Sequence, residues 1–265
     1  MDSSFSITIN MSGTSVTTLA DGKFRLCGFR AVQGPPGALP VLWFLGDFYS
    51  LTTTIRWTDV YQAYTSHTIP APKTVVKPAF SYPVRPGQVL SVTGADLSGQ
   101  VVETGGTPGA VTIANTLPAP FLCGISQSMA GGPPSPICAF PMLPKGLDTI
   151  VPLDMVFLMF SPLPEAEGET VDRSFSAGIL IDMTGVTSRS VSYDAATGVW
   201  TWPNQASWAI PYPPDTALTP LLVLSPSGPG VPPTPPAPPA PPAPPTPTPT
   251  TPTTPTTPTT PTTPT

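Results

Sequence analysis

Thr149-Ile150-Val151-Pro152-Leu153-Asp154-Met155-Val156-Phe157-Leu158-Met159-Phe160 is the most apolar stretch of the 265-residue chain, and its reading decides the fold. A strand covered on both faces reads as a continuous apolar run bounded by turn residues, which is the pattern here. A membrane crossing needs ~20 apolar residues, and this run is shorter and carries Asp154. After an acidic connection, Phe175 to Met183 repeats the pattern, so the two segments predict central strands of one sheet.

Working outward, Arg189 to Asp194 and Val199 to Trp202 flank Ala195-Ala196-Thr197-Gly198. A four-residue connection with Gly where a positive φ is required predicts a hairpin. At the other end of the chain, Phe5-Ser6-Ile7-Thr8-Ile9-Asn10-Met11 alternates apolar and polar residues, the period of a half-buried strand. Strand-like runs also occur at Lys23 to Val32, Val41 to Phe44, Thr52 to Trp57, Gln88 to Val92, Val101 to Glu103, Ala110 to Ala114, Phe121 to Ile125 and Ile137 to Phe140. Gly34-Pro35-Pro36-Gly37, Gly105-Gly106 and Gly131-Gly132-Pro133-Pro134 punctuate them. Tyr82-Pro83-Val84-Arg85-Pro86-Gly87 suits a rigid turn or a sheet edge. One short helix is expected over Trp57 to Tyr64, where positions 57, 60, 61 and 64 follow helical spacing, although 55, 57, 61 and 63 also suit a strand broken at Asp59. The pattern is all-β, and roughly ten to fourteen strands are too many for one open twisted sheet, which points to an antiparallel β-sandwich, jelly-roll-like or related.

The expected domain spans residues 1–224, and residues 225–265 form a low-complexity tail. From Pro229 onward the chain holds prolines and threonines in repeats of three and no charged or aromatic residue, so it cannot bury enough apolar surface to offset the entropy of ordering. Polyproline II has the same three-residue period, and the tail therefore reads as an unpacked, polyproline-II-like spacer. Its composition resembles the Pro-Thr linkers of secreted polysaccharide-binding proteins and the Pro-rich segments of cell-wall glycoproteins. That resemblance covers the tail alone and assigns no site residue in the body. Pro-x-x-Pro spacing also permits docking on SH3-like or WW-like grooves, without a flanking basic residue to orient it.

The 10 basic and 15 acidic residues all precede the tail, for a net charge of -5 and a pI near 4.6. No run of Lys or Arg is present, which argues against nucleic acid as a partner. Met1-Asp2-Ser3-Ser4-Phe5 lacks a positively charged leader and an apolar run, so no conventional secretory signal is expected and the protein is cytoplasmic or exported by another route. No cofactor motif occurs. The single histidine, His67, reads as a loop residue, and no Gly-x-Ser-x-Gly elbow accompanies it. Cys27, Cys123 and Cys138 lack zinc-ligand spacing; Cys123 and Cys138 lie on neighbouring candidate strands and form a candidate disulfide in an oxidising compartment, with buried thiols as the simpler reading. Glu165, Glu167, Glu169 and Asp172 offer oxygen ligands but match no calcium loop, and read as a solvated acidic connection. Asp148, Asp154 and Asp182 are the carboxylates a hydrolase would use, with no diagnostic spacing.

The aromatic residues carry the functional reading. Trp200 and Trp202 share one face of a strand, Trp208 follows closely, and Trp57, Tyr61 and Tyr64 form a second group. These six are the candidate ligand-binding platform for sugar rings, against core packing as the alternative. The expected function is a non-catalytic surface-binding or structural protein with a glycan or cell-surface polymer as partner. A membrane-active, pore-forming-like β protein with peripheral membrane contact is the alternative, and a carboxylate-dependent hydrolase ranks below both.

Overall fold

The computed structural model describes residues 4–69, 71–163 and 166–225. The expected tail beyond Ser225, and Glu165 of the acidic connection, lie outside the described residues. From the N-terminus the strands are β1 (Ser4–Met11), β2 (Arg25–Gln33), β3 (Leu39–Pro40), β4 (Phe44–Gly46), β5 (Thr52–Ser66), β6 (Phe80–Val84), β7 (Val89–Val92), β8 (Gly99–Val102) and β9 (Val111–Asn115). They continue as β10 (Phe121–Met129), β11 (Pro134–Pro136), β12 (Cys138–Met142), β13 (Leu147–Ser161), β14 (Gly178–Asp182), β15 (Ser188–Asp194), β16 (Val199–Thr201), β17 (Ala209–Tyr212) and β18 (Val223–Leu224). Helix α1 (Gly13–Asp21) follows β1, and the single turn α2 (Thr219–Leu222) precedes β18. The protein is all-β in character, and several of its strands are only two or three residues long.

Hydrogen bonds join the strands into two sheets, each organised by one long strand. In the first sheet β5 pairs with β1 over Thr52–Thr58, with β6 over Tyr61–Thr65 and with β10 over Trp57–Ser66. The order runs β16-β15-β1-β5-β10-β12-β3. In the second, β13 pairs with β9 over Leu147–Ile150, with β2 over Val151–Ser161 and with β14 over Met155–Met159, in the order β17-β14-β13-β9-β7-β8. Most pairs are antiparallel, but β1 with β15, β2 with β18 and β7 with β9 run parallel, which an antiparallel pattern did not anticipate. Parallel neighbours need long crossovers, and β1 and β15 are joined by most of the chain.

One hydrophobic cluster contains residues of both sheets: Ile7, Ile9, Ile55 and Trp57 from the first, Val156, Leu158, Phe160 and Ile179 from the second. A second cluster covers the other side of β2, β13 and β14, where Cys27, Phe29, Phe157, Met159 and Leu180 meet Leu42, Leu221 and Leu222. That double cover is why Met155 to Ser161 is buried throughout and why the sequence there shows no alternation. Each large side chain buried in this way contributes about 1.5–3 kcal/mol.

The expected helix at Trp57 to Tyr64 is instead the middle of β5. Ile55, Trp57, Tyr61 and Ala63 are buried on one face, Asp59 is half-buried among them, and the strand runs through unbroken. Pairing with β1 up to Thr58 and with β6 and β10 from Tyr61 onward holds the backbone on both sides of Asp59 and Val60, a tertiary gain that the spacing of 57, 60, 61 and 64 does not reveal. The helix that does form is α1, whose N-cap Ser12 hydroxyl accepts the Ser15 N–H at 3.0 Å. Leu19 and Ser15 form its buried side. The Val41 to Phe44 run is not one strand: Val41 makes a single bridge to Thr170, and β4 starts at Phe44. The hairpin between β15 and β16 forms as expected, with Gly198 at φ 69°. In that turn the Asp194 carboxylate accepts from Thr197 Oγ1 (2.8 Å) and the Ala196 N–H (3.0 Å), which holds its pKa below the usual carboxylate value.

Gly124 marks the tightest approach within the first sheet. A Cβ there would sit 2.1 Å from the Cys138 carbonyl oxygen and 2.7 Å from the Tyr64 hydroxyl, which donates to that same carbonyl at 2.7 Å. Since the first obstacle is backbone, Gly124→Ala is expected to lower the unfolding free energy by about 3 kcal/mol, read as a reduced urea midpoint; an unchanged midpoint would refute this packing.

Candidate functional site

The six aromatic residues expected as a platform do not share a surface. Trp57 and Tyr64 are fully buried, Tyr61 is 5% exposed and Trp200 is 3% exposed. Trp57 stacks on Phe5 with centroids 5.6 Å apart, and Trp200 stacks on Phe160 at 5.8 Å. Tyr64 points to the opposite side of β5, into a small cluster with Val41, Val76, Leu122 and Ala139. Only Trp202 and Trp208 keep partial exposure, with centroids 6.4 Å apart. Trp202 lies beyond the end of β16, its Nε1 donates to the Ala206 carbonyl at 2.8 Å, and the Arg189 guanidinium covers the Trp208 ring at 4.5 Å. Strand alternation turns most of these rings inward, so packing rather than ligand stacking accounts for them.

Other candidates are also placed. The β10–β12 register sets Cys123 opposite Phe140, leaving Cys138 on the diagonal, and both are buried thiols rather than a disulfide. Burial raises both: Cys123 well above its ordinary value and Cys138 to about 12. Glu167 Oε1 accepts the Leu45 N–H at 3.0 Å and Glu169 Oε2 the Ala166 N–H at 3.0 Å, so these carboxylates pin loops. Asp182 accepts the Thr184 N–H at 2.8 Å, and Asp148 pairs across from Ile113, apart from it in the sheet. Among the described residues no group of three or more His, Cys, Asp or Glu is placed to hold a metal. None of their helices is long and apolar enough to cross a membrane.

Two arrangements emerge that the sequence reading missed. The first is the outward face of β15, β1 and β5. Register brings together Ser188, Ser6 and Arg56 in one row, Ser190, Thr8 and Thr54 in the next, and Ser192, Asn10 and Thr52 in the third, with Thr201 of β16 beyond Ser192. All of these side chains are exposed or half-buried, while the intervening Ile7, Ile9, Ile55, Val191 and Tyr193 are buried. Neighbouring strands stand ~4.8 Å apart and alternate residues ~6.7 Å along each strand, so the face is a regular array of hydroxyl and amide groups. Its members are cross-linked: Asn10 Nδ2 donates to Ser190 Oγ at 3.0 Å, Thr52 Oγ1 to Asn10 Oδ1 at 3.5 Å, and Thr8 and Thr54 share a 3.4 Å hydroxyl contact. The alternation was visible in each strand, but not the juxtaposition of segments so far apart in the chain.

The second arrangement surrounds Arg30, which is 1% exposed between the two sheets. Its guanidinium carbon lies 5.8 Å from the Trp43 ring centroid and 5.4 Å from that of Trp57. Among the described residues it forms no ion pair. Its charge acts on Asp59 and Tyr61 nearby, and the Tyr61 hydroxyl donates to Asp59 Oδ1 at 3.2 Å. Gln127, fully buried, donates its amide nitrogen to the Thr58 carbonyl at 2.9 Å and lies 3.4 Å from Asp59 Oδ1. Burial raises the Asp59 pKa, with the Arg30 charge and the Tyr61 hydroxyl opposing and Asp154 adding to the rise. Burial likewise raises Tyr61. Asp59 and Tyr61 line a cleft of about 400 Å³ with Pro83, Arg85, Gln88 and Glu103.

Two outcomes follow. The buried thiols are expected to resist a thiol reagent in the native protein at about pH 8 and to react, all three of them, once the chain is denatured; modification of Cys123 or Cys138 in the folded state would contradict their burial. Asp59 binds its proton more tightly folded than unfolded, so its stabilising share is fully present below the unfolded value of 3.8 and is lost as pH rises through the folded value. The difference in unfolding free energy between wild type and Asp59→Asn should therefore fall as pH rises from 3.8 through the acid range, measured by urea denaturation at each pH. A difference that grows with pH would reverse the assignment.

No protein-family model matches the chain, and neither a curated protein nor a solved structure is found to be similar to it.

Proposed function

We propose that this chain is a non-catalytic surface-binding protein built on a β-sandwich, with carbohydrate as its ligand and the Pro/Thr-rich segment beyond 225 as a polyproline-II-like spacer. The sandwich reading rests on the single core to which both sheets contribute Ile7, Ile9, Val156, Leu158 and Phe160. The observation that carries the function is the array on β15, β1 and β5. Its rows contain one charge, Arg56, and no carboxylate, so a neutral partner suits it better than an anionic or cationic one. Each Ser or Thr hydroxyl both donates and accepts, and the Asn10 amide does the same. A polymer that presents hydroxyls of its own can pair with such groups directly or through bridging water. The regular spacing of the rows suits an extended polysaccharide with repeating hydroxyls.

The test is retention on insoluble neutral polysaccharides, comparing the full chain with Thr8→Lys and Thr54→Glu, which place long charged side chains in the middle of the array without touching the core. The expected result is retention on at least one polymer, weakened at least tenfold by either substitution, or about 1.4 kcal/mol. Equal retention of both variants, or no retention of the wild type on any polymer, would defeat the reading.

A further inference from the structure

The hydroxyl face does not stop at its third row. In β15, Asp194 continues the alternation of Ser188, Ser190 and Ser192, and it stands directly across from Val199 of β16, with both side chains exposed. On the β1 side Ser12 follows Asn10 in the same alternation and is still extended, at φ -74° and ψ 159°. Ser12, Asp194 and Val199 thus make a fourth row, and its chemistry differs from the other three. It carries a carboxylate, and Val199 is a large apolar side chain left 49% exposed. The surface is also concave here. A depression of about 330 Å³ is lined by Asn10, Ser192 and Thr201 of the third row, by the fourth row and by Thr197 of the β15–β16 turn. Hydrogen bonds join that turn to the start of α1: the Ala195 N–H donates to Ser15 Oγ at 3.1 Å, and Ser15 Oγ to Asp194 Oδ1 at 3.5 Å. Asp194 Oδ2 accepts from Thr197 Oγ1 at 2.8 Å and from no other group among the described residues, so it has room for a second donor.

These groups match the two surfaces of a sugar ring. A pyranose presents an apolar C–H face and a rim of hydroxyls, each of which donates and accepts. Val199 supplies apolar contact, Asp194 an acceptor held in place by the turn, and Asn10, Ser192 and Thr201 groups that do both. Small-ligand sites combine a concave surface with a few placed polar groups, over ~300–1,000 Å³. The depression lies at the lower end of that range, which fits one ring rather than several. No Lys or Arg lines it, so an acidic sugar would meet the Asp194 carboxylate without a compensating cation. We propose that the depression at the end of the hydroxyl array seats a single neutral sugar ring, with its C–H face on Val199 and its hydroxyls on Asp194 Oδ2, Asn10, Ser192 and Thr201. A polymer laid along the rows is then gripped at one residue. This deepens the carbohydrate reading above and rests on it for the ligand class.

The experiment titrates the isotopically labelled full chain with the methyl glycosides of D-glucose, D-galactose, D-mannose and N-acetyl-D-glucosamine at millimolar concentrations, following backbone amide shifts by NMR. The expected result is a saturable shift centred on Ser192 to Thr201 with at least one compound, and binding at least tenfold weaker for D-glucuronate. Val199→Lys fills the depression from an exposed strand position, and Asp194→Asn keeps a turn-forming side chain while changing what it accepts. Val199→Lys is expected to weaken binding at least tenfold and Asp194→Asn at least threefold, with Asp215→Asn in the surface Arg173 pair unchanged. The same spectra show that each variant is folded. No saturable shift with any of the four glycosides, shifts centred elsewhere, equal affinity for D-glucuronate, or equal affinity in Val199→Lys overturns the proposal. Retention on polysaccharide, measured with the same samples, keeps the two readings apart. Retention without a sugar response removes the depression and leaves the array, and a sugar response without retention removes the array and leaves the depression.

Discussion

Arg30 packs against the edge-to-face pair of Trp43 and Trp57, whose rings lie 5.7 Å apart, and this contact joins the two sheets. Arg30 comes from β2 in one sheet and Trp57 from β5 in the other. A guanidinium away from water is stabilised by ring faces, by about 2 kcal/mol or more when desolvated. That gain does not replace the lost hydration of a full charge, so the surroundings must supply the remainder. Asp59 provides an opposite charge at the edge of the core, and Gln127 and Tyr61 hold that carboxylate in place. The pairing of β10 on β5 shifts between Gln127 and Met129 and that of β13 on β2 between Pro152 and Val156, both beside this polar centre.

The same period of two that builds the core builds the opposite face. Between the rows of β1, β5 and β15 the inward residues are Ile7, Ile9, Ile55 and Val191 with the half-buried Thr53 and Arg189, and the outward ones are Ser, Thr, Asn or Arg. A shift of register by one residue in any of these strands would put hydroxyls in the core and isoleucines in water, so burial of Ile7, Ile9, Ile55 and Val191 also enforces alignment of the hydroxyl rows. The array is thus a product of the hydrophobic core, and it costs the fold little beyond the choice of small polar side chains. In the second sheet β2 and the Met155–Ser161 half of β13 are packed on both sides and present no such face.

The central strands and the β15–β16 hairpin were legible in the chain because their signals are local. An unbroken apolar run from Met155 to Phe160, the alternation of Phe5 to Met11 and a glycine at the turn each point to one backbone conformation within a few residues. The segment Trp57 to Tyr64 was ambiguous for the same reason: a spacing of four between Trp57 and Tyr61 fits one helical face as well as one strand face, and the choice belonged to β1, β6 and β10, which lie far away in sequence. The aromatic residues were visible as a set, but whether a ring faces a ligand or the core depends on which sheet covers it.

What the sequence alone determined was therefore the all-β character, the strands of strongest pattern, the low charge and the separate composition of the last residues, because propensity, period and charge are properties of short segments. Only the tertiary structure decided that the serines and threonines of three distant strands form one array, that Trp57, Tyr61, Tyr64 and Trp200 are core, and that Arg30 is buried close enough to Asp59 for its charge to act there. Those outcomes depend on register and on sheet-to-sheet contact, where the free energy comes from residues that are neighbours in space and strangers along the chain.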